Sequence, residues 1–252
     1  MVDFIYKQMK CFTPLRVVSI IFALLLIAIL PILFGFAWSP EINNNSFIYL
    51  FYIVTNTANF PITFLTSLIF SLILFLAIKL PFKKVLLLLI FFNVMVIGSQ
   101  LCVYGIKHFA KEPRPYTVWL SQNNFIESTD AFYKLSKKEK IEIIKSFDFK
   151  DFNISSWQQN YWTKEVGYSF PSGHSVFAAS WAVIMFIFLF QAKRYKTAFL
   201  ILLWAVIVES SRMLLGMHFP NDILVSCLVS LCVILLFVYL LKLLRVKSKD
   251  NK

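Results

Sequence analysis

Long apolar runs separated by short polar breaks dominate the chain. Six stand out, at about 16–38, 60–80, 84–106, 173–192, 196–217 and 221–243. Each is roughly 20 residues long, enough for a helix to cross a hydrocarbon core of ~30 Å. The pattern therefore predicts an all-α integral membrane protein with six transmembrane helices. The shorter stretch SFIYLFYIVTNTAN, at 46–59, reads as interfacial rather than spanning.

The one sizeable polar region is an insert at about 107–170, between spans three and four. It is expected to be partly helical. Ser136 followed three residues later by Glu139 is a capping-box pattern, with Ile141, Ile144 and Phe147 then falling on one face. Trp119, Trp157 and Trp162 suit an interfacial aromatic belt. No repeat and no low-complexity segment occurs apart from the polar tail KSKDNK, and residues 1–252 read as a single membrane-embedded domain carrying this insert.

Composition agrees with the pattern: 59% of residues are hydrophobic and only 15% charged, against about 25% charged in a soluble domain. The net charge of +12 would suggest nucleic acid in a soluble protein. Here the basic residues fall in short loops and the insert, which argues for bilayer orientation instead. Lys7, Lys10 and Arg16 precede span one; Lys79, Lys83 and Lys84 follow span two. Lys193, Arg194 and Lys196 follow span four, and Lys242, Arg245, Lys247 and Lys249 follow span six. The loop at 39–59 has no Lys or Arg. Both termini are therefore expected in the cytoplasm. The four cysteines, Cys11, Cys102, Cys227 and Cys232, lack metal-binding or C-x-x-C spacing and read as buried small hydrophobes.

Three polar clusters then fall at the same, outer face: KHFAKEPRP at Lys107–Pro115, PSGH at Pro171–His174, and SRMLLGMHFPND at Ser211–Asp222. Lys107, Arg114 and Arg212 are cations with few carboxylates nearby in sequence, suited to an anion such as phosphate. Pro171 is expected in the first turn of span four, where backbone N–H groups favour an anion, with Gly173 allowing close approach and the Ser172 hydroxyl adding a donor. His218 and Asp222 are four residues apart and would share a helix face, the carboxylate fixing the imidazole tautomer for nucleophilic attack. His174 is a candidate general acid. His108 reads as an interfacial residue, and Glu209 as the ion-pair partner of Arg212 three residues on.

Together, K-x6-R-P, P-S-G-H and S-R-x5-H-x3-D resemble the three-part signature of the type 2 phosphatidic acid phosphatase superfamily, with every defined position matched. The resemblance, strongest over about 105–225, extends to the bacterial phosphatidylglycerophosphatases. It implies a phosphatase using His218 as nucleophile, Asp222 to orient it and His174 to protonate the leaving group. Lys107, Arg114, Ser172, Gly173 and Arg212 would hold the phosphate. No metal or other cofactor is expected, no nucleic acid and no obligate protein partner. Expected substrates are lipid phosphates, phosphatidylglycerophosphate and undecaprenyl pyrophosphate first, at the periplasmic face of a bacterial cytoplasmic membrane. A lipid phosphotransferase, or a non-catalytic lipid-binding or transport protein, would share the scaffold. The six spans argue against the soluble haloperoxidases of the wider superfamily.

Overall fold

A computed structural model of the chain describes residues 2–44 and 47–250. Ser46, where the expected interfacial stretch begins, and Asn251 and Lys252 of the polar tail lie outside these, as do the side chains of Lys247 and Lys249. The described residues form helices and no strands. In chain order these are α1 (Val2–Met9), α2 (Pro14–Leu33), α3 (Phe47–Asn56), α4 (Ile62–Ala77), α5 (Phe82–Ala110) and α6 (Pro115–Gln122). There follow α7 (Thr129–Lys134), α8 (Lys137–Ser146), α9 (Ser156–Lys164), α10 (Gly173–Gln191), α11 (Tyr195–Leu214) and α12 (Pro220–Asp250).

Five of the described helices, rather than six, are long and apolar enough to cross a membrane: α2, α5, α10, α11 and α12. The run expected at 60–80 yields only the 16 residues of α4. The helix starts after Pro61, and the chain turns extended at Ile78 ahead of Lys79 and Pro81. Proline at each flank and a cation before the second set these limits.

The central helix is α10, packed against α5, α11 and α12 and also touching α2 and α4. Its side chains are buried on every face except at Gly173, Phe186, Phe190 and Gln191, as an all-round apolar helix requires. One large cluster, including Phe92, Trp181, Met185 and Phe188, fills the space around it. A rung of hydroxyls crosses this interior, Ser99 Oγ lying 3.2 Å from Ser180 Oγ and Ser180 Oγ 2.8 Å from Ser230 Oγ. Cys11 and Cys227 are buried as expected, but Cys102 and Cys232 are exposed on the outer flanks of α5 and α12. In those flanks a thiol faces outward among apolar side chains rather than into the core.

The polar insert is a packed layer. The capping box at Ser136 and Glu139 is present and opens α8. Ile144 is fully buried, in a second cluster with Tyr116, Leu120, Phe132, Phe149, Tyr161 and Trp162. Trp162 is not part of an aromatic belt. It is buried, stacks on Tyr116 with ring centroids 4.8 Å apart, and donates its indole N–H to the Leu215 carbonyl at 3.1 Å. Trp119 and Trp157 are partly buried against the same cluster.

This layer grips the end of α11. The last carbonyls of a helix have no partner within it, and here three successive ones are met from distant segments. Leu214 O accepts from Trp38 Nε1 at 2.9 Å, Leu215 O from Trp162 Nε1, and Gly216 O from Tyr116 N at 2.9 Å. Gly216 has φ +71°, and a Cβ there would lie 2.7 Å from the Trp38 ring. Both backbone and space demand glycine. Gly216→Ala is expected to cost about 2 kcal/mol or more, read as a lowered unfolding temperature in detergent.

Candidate active site

The turn after α11 is built by the sequence S-R-M-L-L-G-M-H. Gly216 N donates to Met213 O and Met217 N to Arg212 O, both at 3.0 Å, with Gly216 left-handed. This is the paired Schellman closure of a helix C-terminus. His218 N also donates to Arg212 O at 3.0 Å. Arg212 and His218 are thus fixed to one another through backbone, the side chains of both being almost fully buried.

His218 and Asp222 do not share a helix face, as their spacing suggested. The following helix begins at Pro220, so His218 lies in the turn before it. Their contact is made by a helix start instead. Asp222 Oδ2 accepts the Phe219 backbone N–H at 3.1 Å and lies 3.0 Å from His218 Nδ1, which is half of a capping box with an imidazole added. With Nδ1 so engaged, Nε2 faces the guanidinium of Arg114, 3.4 Å from Nη1. Burial, with Arg114, Arg212, Lys107 and His174 around it, holds the His218 imidazole well below the usual histidine range, and hence neutral at pH 7.

At the start of α10, Ser172 and not Pro171 occupies the cap; Pro171 precedes the helix. The Ser172 hydroxyl accepts from Ser175 N at 3.3 Å and from Ser175 Oγ at 2.9 Å, so it serves first as an N-cap acceptor. Ser172 N donates to Ser226 Oγ at 2.8 Å. That same oxygen lies 2.6 Å from Asp222 O and 3.0 Å from Ser172 O, tying the cap of α10 to the first turns of α12. Gly173 and His174 follow at the helix tip. His174 Nε2 is buried without a hydrogen bond from the protein.

Arg114 reaches this centre from the loop between α5 and α6. Its Nε donates to Gly167 O at 2.7 Å and its Nη1 to Met217 O at 3.1 Å. The cations are not free of carboxylates, contrary to expectation. Glu165, the residue after α9, places Oε2 at 2.8 Å from Arg212 Nη2 and 3.2 Å from Arg114 Nη2. Its Oε1 lies 3.6 Å from His174 Nε2 and accepts the Tyr161 hydroxyl at 3.2 Å. Tyr161 in turn accepts a short hydrogen bond from Arg212. Burial opposes a charge on Glu165, but Arg212, His174, Arg114 and Lys107 outweigh it and hold the carboxyl well below the usual range.

Glu209 does not pair with Arg212. It points from α11 to α12, where Cys227 Sγ donates to its Oε1 at 3.4 Å. Its spacing from Arg212 holds, but Glu165 takes the guanidinium from outside the helix. His108 is exposed at the end of α5, one residue beyond Lys107.

A cavity of about 560 Å³ opens beside the centre, between α4 and α5. Lys107, Gly173, His174 and Gln100 line it beside the centre; Phe60, Phe64, Val96, Ile97, Leu101 and Phe177 supply much of the remaining, mainly apolar wall, with Asn59, Thr63, Ser67 and Asn93 as further polar groups. Gln100 Nε2 fixes the Gly173 carbonyl at 2.9 Å. All eight residues singled out from the sequence therefore lie together: Arg114, Arg212 and His174 around Glu165, His218 against Asp222, Ser172 and Gly173 at the tip of α10, and Lys107 on the adjoining cavity.

The sequence pattern of the PAP2 superfamily matches residues 87–245, which contain all three clusters. The chain belongs to this superfamily. It is 33% identical to phosphatidylglycerophosphatase B of Escherichia coli (strain K12) over 196 residues, covering 78% of this chain and 76% of that one. It is 34% identical to phosphatidylglycerophosphatase B of Haemophilus influenzae over 187 residues, covering 72% and 77%. The three polar clusters of the sequence account for eight of the residues in the centre. Glu165, Tyr161 and Ser226 lie outside them, and their neighbourhoods in sequence, W-T-K-E-V-G and L-V-S-C, carry no pattern that would have singled them out.

Proposed function

We propose that this chain is a metal-independent lipid phosphate phosphatase. It would hydrolyse phosphatidylglycerophosphate to phosphatidylglycerol, and undecaprenyl pyrophosphate to undecaprenyl phosphate, through a phosphohistidine. The observation that carries the reading is the His218 geometry. Nδ1 is held by Asp222 at 3.0 Å, and the opposite nitrogen faces the arginine fork where a phosphoryl group would sit.

A buried donor without a partner supports a ligand at this place: Arg212 Nε has no hydrogen-bond acceptor within the protein, a costly arrangement unless something else accepts from it. In the first step the Nε2 lone pair of His218 forms a bond to phosphorus. The bond from phosphorus to the leaving oxygen breaks, and protonated His174 donates its proton to that oxygen. In the second step water attacks phosphorus, His174 takes a water proton, and the P–N bond breaks to give inorganic phosphate and neutral His218. Arg114, Arg212 and Lys107, with the N–H groups at the start of α10, would carry the charge that spreads over the phosphoryl oxygens. Among the described residues no group of three His, Cys, Asp or Glu side chains converges as a metal site.

The cavity between α4 and α5 suits a lipid, with apolar walls for the tail and Lys107 and His174 at the phosphate end. We read α4 as the sixth crossing: its 16 residues give about 24 Å, a mismatch that local thinning of the bilayer would absorb. The basic loops support cytoplasmic termini. Lys79 and Lys193 border one hollow with Gln8, Lys84 lies over the Phe4 ring, and Arg245 pairs with Asp3 at 2.6 Å. These groups share one end of the bundle, which would face the cytoplasm of a bacterial cell, leaving the centre on the periplasmic side. Residues 1–252 then form one domain.

Phosphate release from each of the two lipids, in detergent with excess EDTA, tests the reading. Release that survives EDTA is expected. Loss of activity on chelation, restored by a divalent ion, would overturn metal independence.

A further inference from the structure

The anion-binding centre is already filled by a group of the protein itself. One oxygen of Glu165 bridges the two guanidinium groups, at 2.8 and 3.2 Å, and the other faces the His174 imidazole at 3.6 Å. A phosphoryl group bound for the chemistry proposed above needs those same three partners: two oxygens against the arginines and one against the general acid. A carboxylate and two phosphoryl oxygens have similar shape and the same hydrogen-bonding capacity. Both cannot be there together. Glu165 stands in the connection between α9 and α10, beside Gly167, whose Cα faces open space. The residue is thus on a surface segment and not inside a packed helix.

We infer that Glu165 is an intramolecular competitor for the phosphate site, which every anionic headgroup must displace. The inference rests on the proposed phosphatase reading. Its consequence is selection by threshold. A competitor that must leave weakens all ligands by one common factor, the fraction of protein with the site vacated. Phosphodiester lipids, with a single negative charge, bind the three cations weakly and fall below occupancy even when abundant. Phosphomonoesters, doubly charged, remain above it. The product of hydrolysing a phosphatidyl phosphomonoester is a diester, so the same device favours its release.

This differs from Glu165 acting as a fixed background charge. A fixed negative charge would repel a dianion about twice as strongly, in free energy, as a monoanion. Removing it would then raise dianion affinity by the square of the factor for a monoanion. Removing a competitor raises both by the same factor.

The test measures direct binding to Glu165→Gln and wild type in detergent at pH 8, by calorimetry. The probes are inorganic phosphate, largely dianionic there, and dihexanoyl phosphatidylglycerol, a monoanionic diester. The expected result is at least a tenfold tightening of both, by equal factors. Glu165→Asp, which keeps the charge on a shorter arm, gives an intermediate gain and carries the test if the glutamine variant does not fold. Equal or weaker binding in the variants would overturn the inference, as would a dianion gain equal to the square of the monoanion gain. Adding Lys107→Ala to each protein separates this failure from failure of the underlying reading. If phosphate binding does not weaken on that change, or no protein binds phosphate at all, the site itself is wrongly placed.

Discussion

His218→Ala is expected to lose phosphate release by roughly 10⁴-fold or more, with substrate binding largely kept. Removal of a covalent nucleophile typically has an effect of that order or greater. Brief reaction with ³²P-labelled lipid, quenched in alkali, should leave label on wild-type protein at His218 and none on the variant. The imidazole is buried among four basic side chains and held neutral well below the usual histidine range. On the proposed mechanism, His218 therefore stays competent as a nucleophile as the pH falls. The acid limb of kcat/KM set by His218 should lie below ~6.5, the ordinary histidine value. Stability follows the same sign. The unfolded state takes up a proton on this histidine near pH 6.5 while the folded state does not. The histidine's contribution, full above that pH, is lost as the pH falls further. A labelled His218→Ala protein, or an acid limb at or above the ordinary value, would rule out this assignment.

Arg212→Ala should be the most damaging substitution for the fold and the chemistry together. The guanidinium is fully buried, donates to Glu165, Tyr161 and Thr55, and when removed leaves Glu165 with Arg114, His174 and the Tyr161 hydroxyl. Breaking a buried ion pair from one side costs about 3–5 kcal/mol. On the proposed mechanism, loss of a preorganised donor to the phosphoryl oxygens costs a further 10²–10³-fold in rate, as an order of magnitude. Arg212→Lys restores the charge but not the fork that meets Glu165 and Tyr161 at once, so it should recover stability more than turnover. Thermal unfolding and kcat/KM measured on the same preparations separate the two effects. Equal recovery of both by lysine would mean that charge alone matters at this position.

Much of this was legible in the sequence because membrane proteins write their constraints strongly. Of the six apolar runs read as spans, five gave helices long and apolar enough to cross a membrane and the sixth gave the shorter α4, while basic loops indicated an orientation. Polar residues at a bilayer edge are costly enough that Lys107–Pro115, Pro171–His174 and Ser211–Asp222 stood out. What escaped detection depends on contacts between segments. Glu165 looks like any surface glutamate in W-T-K-E-V-G, and only the docking of α9 onto the end of α11 brings it to Arg212. Glu209 has the right spacing for Arg212 but faces Cys227, because spacing gives adjacency on a helix and says nothing of a stronger competitor from outside. The His218–Asp222 pair was expected on a helix face, yet Pro220 starts the helix after the histidine and a cap makes the contact instead. Trp162 was read as a belt residue because aromatic side chains near a membrane edge usually are. Its indole instead closes a helix end.

The two indole donors and one amide donor on the carbonyls of Leu214, Leu215 and Gly216 clasp the end of α11 from three separate segments of the chain. They anchor the turn that carries His218 to the aromatic cluster containing Trp38, Tyr116 and Trp162. On the proposed mechanism, the position of the attacking imidazole is therefore held from Trp38, Trp162 and Tyr116 together and not by α11 alone.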